Sequence, residues 1–261
     1  MRIGCQQIPA RAPRRPAAAV VLGLAGLLST TPAWSDCRDG ARPKVMWKGC
    51  SKTSLLLARS DLESSDLTKA MLTSTNLDGA NLKASKLAET ELSFAQFEGA
   101  DLSGTDLTRA IGWRATFRGA NLEHANLDMA QMSRSVFDKA KLAGANMTKS
   151  ELNRSGFKEA DLTGANLSKA EVARADFGKA KLGNVDFRYA NLSRADLGGA
   201  DLSGANLSGA YLYRTRIGGA DLSRSAGLTQ PQLDMACGTN ATRLPSGLLA
   251  PKAWPCPHED E

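Results

Sequence analysis

The 261 residues carry 33 Lys+Arg against 27 Asp+Glu, a formal net charge of +6. Four of the arginines, and none of the acids, lie in the first 35 residues, and without them 29 basic groups face 27 acidic ones, a net of +2. Bulk charge therefore argues neither for nucleic-acid binding nor for an acidic mimic of nucleic acid.

The chain opens like a secretory precursor. Arg2, Arg11, Arg14 and Arg15 form a basic n-region, Ala17 to Thr31 is a short apolar stretch between Pro16 and Pro32, and Ala33-Trp34-Ser35 offers small residues at −3 and −1 of a cleavage site. The apolar stretch falls short of the roughly 20 residues that a spanning helix needs. The residues around Arg14-Arg15 do not support a twin-arginine signal, and Asp36 before Cys37 argues against lipoprotein processing. Residues 1–35 thus read as a signal peptide, with a mature chain that is exported, periplasmic or extracellular, and without a transmembrane span.

Residues 36–56 read as an N-terminal cap, with Trp47 covering the first coil of a repeat array that begins at Leu57. With Cys5 removed, four cysteines remain, an even number in an exported chain: Cys37, Cys50, Cys237 and Cys256. Local pairing, Cys37–Cys50 and Cys237–Cys256, is one of three connectivities, favoured because the long array separates the pairs. Zinc is the rival, but only His124 and His258 exist and no CxxC does.

From Leu57 to Leu222 a large apolar residue returns every fifth position, with no insertion or deletion. Two residues before each centre lies a small side chain, as at Ala70, Ala80, Ala100, Ala120, Ala160 and Ala200. The residue just before the centre is often Asp or Asn, as in "ADLSGANLSGA" at 200–210. Neither a helix nor a strand has this period, so the chain turns a corner every unit and winds into a solenoid. One centre is missing: Gly112 stands where the apolar residue is due, between Ile111 and Trp113, while Ala110, Ala115 and Phe117 keep their places. Either Ile111 or Trp113 swings inward to fill the gap under Leu92 and Met132, or Trp113 stays out beside Arg114.

These units resemble the pentapeptide-repeat family, A-(D/N)-L-x-x, over about 57–224. The resemblance implies an all-β fold, a right-handed quadrilateral β-helix of four units per coil over 57–226. A coil of four units repeats every twenty residues, and Phe97, Phe117, Phe137, Phe157 and Phe177 fall at that spacing. Leu62, Leu82, Leu102 and their successors to Leu222 fill the next wall. About eight coils spaced by about 4.8 Å give a rod of about 40 Å whose stability is nearly additive along the stack.

Residues 227–261 read as a C-terminal cap. "TQPQLDMACG" predicts a short helix with Thr229 as N-cap, Gln232 completing a capping box, Leu228 and Leu233 as a staple and Gly238 as the stop. The Pro-rich tail beyond it is strapped back by Cys237–Cys256.

Catalysis finds little support. Neither histidine has a nucleophile or carboxylate pair at useful spacing, and no glycine loop for phosphate is present, so the chain reads as non-enzymatic and without a cofactor. Outward columns at twenty-residue spacing carry what specificity there is. Glu98, Arg118, Asp138 and Lys158 alternate in sign and read as a solvated salt-bridge ladder. Arg114, Arg134, Arg154, Arg174, Arg194 and Arg214 occupy one position of six successive coils, with Phe94 one coil earlier, Trp113 at the head and Tyr213 at the far end. The column is either a binding stripe for phosphate or carboxylate groups or the relic of a duplicated twenty-residue unit. Neighbouring like charges repel by roughly 1 kcal/mol in water before screening, and Asp176 and Asp196 are placed to offset part of it.

The first reading of function is an exported scaffold presenting a rigid surface to a protein or an anionic envelope component, and a homodimer is compatible with it. The second comes from the resemblance, because the best-known members bind DNA gyrase as elongated dimers with strongly acidic, DNA-like surfaces. The near-neutral mature charge, the arginine column and the export signal all depart from that surface.

Overall fold

A computed structural model of the chain describes residues 36–255. The signal-like segment, with its expected cleavage site, and Cys256 lie outside the described residues.

Each five-residue unit makes one flat side and one corner. On each side the residue before the centre forms a parallel bridge with the residue twenty positions on, from Met46↔Asp66 through Asn206↔Ala226 without a slip. Four such sides close one coil, and the result is a quadrilateral β-helix. Leu82 shows the pattern: its N–H donates to Asp101 O one coil on (2.7 Å), and Asp101 N–H donates back to Ala80 O (2.9 Å). At each corner the small residue closes a four-residue turn, as Ala80 N–H does on Leu77 O at 3.0 Å. The third residue of that turn has φ between 53° and 73° at every corner from Lys44 to Gly219, the single positive φ of a type II turn.

The interior is built as stacked columns. Phe97, Phe117, Phe137, Phe157 and Phe177 lie face to face with centroids 4.8–4.9 Å apart and planes within 7°. Each ring is fully buried only because the coils above and below cover it. Burial of one such side chain contributes about 1.5–3 kcal/mol. Where the small position is a hydroxyl, it donates inward: Thr75, Ser135, Ser155 and Thr215 reach the carbonyls of Lys52, Gly112, Met132 and Leu192 at 2.6–2.9 Å. Among the described residues no buried side-chain polar atom lacks a partner.

Both ends of the stack are closed by polar side chains. The bridges begin at Met46 and Ser51, inside the segment read from sequence as cap, and Trp47 takes a centre position of the first coil rather than lying above it. Lys52 takes the next centre and is only 9% exposed. Its stem is apolar, while its ammonium donates to Cys37 O (2.8 Å) and Asp39 O (3.2 Å), 4.1 Å from the Trp47 ring. The strap it holds is pinned by the Cys37–Cys50 disulfide, Cα atoms 5.4 Å apart.

At the other end α1 spans Gln230–Asp234, with the Thr229–Gln232 capping box formed. The Gln232 side-chain amide donates to Leu207 O and Ala210 O, both at 2.9 Å, and so satisfies carbonyls that a further coil would otherwise take. Beyond α1 the chain rejoins the stack, Cys237 bridging Arg216 and Arg243 bridging Asp221, with the extra residues absorbed between them. The helix ends at Met235 rather than at Gly238. Gly238 lies beneath Trp254, where a Cβ would come within 2.3–2.5 Å of ring atoms, so its role is close packing. Cys237 is disulfide-bonded, and Cys256, its expected partner, lies outside the described residues.

Candidate binding ridge along one corner

The missing centre at Gly112 marks the start of the ridge. The backbone keeps its phase there: Gly112 N–H donates to Gln131 O (2.8 Å), and Ser135 Oγ donates to Gly112 O (2.6 Å). The gap is filled from the next coil, because Met132 Sδ lies 3.1 Å from where a Gly112 Cβ would stand. Neither neighbour is needed for filling, and Trp113 stays out, 50% exposed. A flexible thioether one coil away does what neither sequence alternative required.

From Trp113 the corner runs upward through Arg114, Arg134, Arg154, Arg174, Arg194 and Arg214, all exposed, to Tyr213 at its far end. Six coils at the sheet spacing make the arginine line about 24 Å long. Every one of these arginines holds the positive-φ turn position, with φ from 55° to 62°. Glycine takes that conformation freely, whereas an L-residue loses about 1–2 kcal/mol there. On the diagonally opposite corner the same turn position includes Gly104, Gly144, Gly164 and Gly204. The backbone of the arginine corner thus favours glycine, and none appears at that position from Ser54 to Arg214.

The charge balance around the ridge is uneven. Asp176 and Asp196 do not offset the column, because Asp176 pairs with Lys158 at 3.0 Å and Asp196 with Arg216. Among the described residues no carboxylate stands within 4.0 Å of the guanidinium of Arg114, Arg134, Arg154, Arg174 or Arg194, although other surface bases are paired. Arg114 instead lies 6.0 Å from the Phe94 ring, and Arg214 lies 5.4 Å from the Tyr213 ring. The expected ladder on the next corner is only partial. Arg118 reaches Asp138 at 3.9 Å, but Lys158 turns to Asp176, and Glu98 joins no ion pair among the described residues.

The pairs away from the ridge perturb their own titration. The hydrogen bond to Asp176 raises the pKa of Lys158. Burial pushes Asp186 up, but the Arg188 hydrogen bonds outweigh it and hold the carboxyl below its ordinary value.

Two further features belong to this surface. Leu56 is 87% exposed, and with Met71 and Phe94 it extends the Trp113 end of the corner as a broken apolar patch, with Asn76 and Glu91 set among them in the ladders. On the neighbouring corner Lys149, Lys169, Arg188 and Tyr189 line a shallow groove. Twenty-residue columns could have shown the groove and most of the patch; the exposure of Leu56, in the segment read as cap, could not be read that way. His124 is exposed on the diagonally opposite corner.

An elongated stack with capped ends and a solid core defines a solenoid scaffold. The sequence matches the family model for the pentapeptide repeat region over 130–207 and the model for pentapeptide repeats in eight copies over 55–83, 75–111 and 190–225. The chain belongs to the pentapeptide repeat family, and its fold is that family's right-handed quadrilateral β-helix. It is similar to the solved structure of HetL, involved in heterocyst differentiation regulation in the cyanobacterium Nostoc sp. strain PCC 7120, at 29% identity, covering 79% of this chain and 92% of that one, with a TM-score of 0.34. A pentapeptide repeat protein of the Arabidopsis thaliana thylakoid lumen is 30% identical over 48% of this chain and 82% of that one, with a TM-score of 0.38. QnrB1, a plasmid-mediated fluoroquinolone resistance protein, is 18% identical over 75% of this chain and 92% of that one, with a TM-score of 0.46. No curated protein matches the chain in sequence.

Proposed function

We propose that the protein is an exported, non-catalytic scaffold whose arginine corner binds an anionic partner of the cell envelope. The observation that carries this reading is the run from Arg114 to Arg194: five guanidinium groups in line, unpaired among the described residues, on turn positions that favour glycine. A relic of duplication would be expected to drift toward glycine, as at Gly104, Gly144, Gly164 and Gly204, or toward paired charges, as at Lys69–Glu89 and Lys139–Glu159. The export signal and the Cys37–Cys50 disulfide support an oxidising compartment.

The test is retention on heparin at rising salt, comparing the parent with a variant carrying Arg134→Ser, Arg154→Ser and Arg174→Ser. Earlier elution of the variant is expected, and equal retention at low salt would refute a polyanion-binding corner. Titration into a gyrase supercoiling assay separates the DNA-mimic reading, for which the ridge predicts no effect. Fractionation of the host addresses export, with the protein expected outside the cytoplasm.

A further inference from the structure

We infer that the anionic partner is the surface of a lipid bilayer, and that the corner from Leu56 to Tyr213 is the edge that lies on it. This rests on the reading of the corner as an anion-binding ridge and names its ligand.

Residues at the same place in successive coils fall on one straight line, so Phe94 and the six arginines project together from a rigid rod about 29 Å long. A plane is a surface that all of them can touch at once. The line is also chemically graded. Its lower end carries Phe94 and Trp113, half exposed, with Met71 and Leu56 exposed one and two coils below Phe94 and Glu91 among them; its upper end carries Tyr211 and Tyr213, their rings stacked at 6.2 Å. Trp and Tyr favour the headgroup level of a membrane, and arginine between them meets lipid phosphates.

The acids nearest the ridge are engaged or flank it. Asp176 and Asp196 pair with Lys158 and Arg216, while Glu91, Glu151 and Glu171 lie in the flat-side ladder of Met71 and Tyr211 beside the corner, Glu171 accepting from Asn191 at 2.8 Å. A duplex rises about 3.4 Å along its axis per phosphate of each strand while the strands wind around it, so a straight row of charges about 4.8 Å apart follows neither strand. Lipid headgroups diffuse laterally and meet any spacing.

The experiment uses residues 36–261, which contain the continuous core and the side chains that close both its ends. The protein is sedimented with vesicles of phosphatidylcholine alone or with added phosphatidylglycerol, and tryptophan emission is followed. Trp47 is buried and Trp254 half-buried, which leaves Trp113 as the exposed reporter among the described residues. The expected result is salt-sensitive binding to the anionic vesicles only, with a blue shift in emission that Trp113→Ser abolishes without altering the melting temperature. Replacing Arg134, Arg154 and Arg174 by Ser should weaken partitioning by on the order of a hundredfold at low salt.

Retention on heparin without vesicle binding would overturn the bilayer and keep the anionic-partner reading. Loss of both would overturn both. Vesicle binding with unchanged emission would overturn docking through the Trp113 end.

Discussion

Replacing Arg154 by Gly separates what the ridge costs the fold from what it offers a partner. Arg154 sits at φ 61°, and its guanidinium has no ion pair among the described residues. The substitution relieves about 1–2 kcal/mol of backbone strain. Against this, glycine gains about 0.4–1 kcal/mol of unfolded-state freedom. Removing one charge from a row spaced at about 4.8 Å adds a few tenths of a kcal/mol after screening. The net expectation is a gain of about 0.3–2 kcal/mol, which for a chain of this size raises the melting temperature by about 1–8 °C. Circular dichroism melts at neutral pH measure it, with heparin retention of the same variant expected to fall. The reciprocal change is Gly164→Arg on the opposite corner, where φ is 68° and a Cβ would meet nothing within 4 Å, and it should destabilise by a similar amount. A drop of more than about 2 °C for Arg154→Gly would refute the reasoning, because it would mean that the arginine stem packs and stabilises the corner.

Three other outcomes are expected from the geometry. Gly112→Leu restores the five-residue beat yet should cost about 1–3 kcal/mol in chemical denaturation, since Met132 already fills that space; a gain in stability would show the site to be a void. Gln232→Ala should remove the side-chain donor of Ala210 O and leave Leu207 O with only the Ala210 N–H, at a cost of about 1–3 kcal/mol read as faster amide exchange in the last coils; uniform exchange along the rod would contradict its capping role. Asp161, Asp186 and Asp221 titrate below their ordinary value in the folded chain, so their contribution is complete above an unfolded pKa of about 3.9 and is lost as pH falls through the folded values. The melting temperature should therefore decline on acidification below about pH 4, and a rise there would contradict the assignment.

Much of this fold is written in the order of residues, because a solenoid repeats one local decision. The five-residue beat, the phenylalanine column and the capping box at Thr229 and Gln232 each follow from spacing alone. What spacing does not show is contact between coils. Met132 fills the gap at Gly112 from twenty residues away, and Lys52 holds a core position because its ammonium reaches carbonyls of a strap. The pairing of Asp176 with Lys158 and of Asp196 with Arg216, rather than with the arginine column, depends on side-chain direction around a corner. Nor does an arginine announce a left-handed turn. The positive φ of the whole column became visible only against the glycines of the opposite corner, and that contrast gives the ridge its meaning.

On the proposed reading, binding follows position on the ridge and not bulk charge. The most direct test compares two variants of equal charge on anionic vesicles across a salt series. One carries Arg134→Ser, Arg154→Ser and Arg174→Ser. The other carries Lys69→Ser, Lys139→Ser and Lys181→Ser, three bases paired with Glu89, Glu159 and Asp161. The arginine variant is predicted to lose affinity by on the order of a hundredfold at low salt while the lysine variant stays near the parent. Equal losses in the two would contradict a role for position.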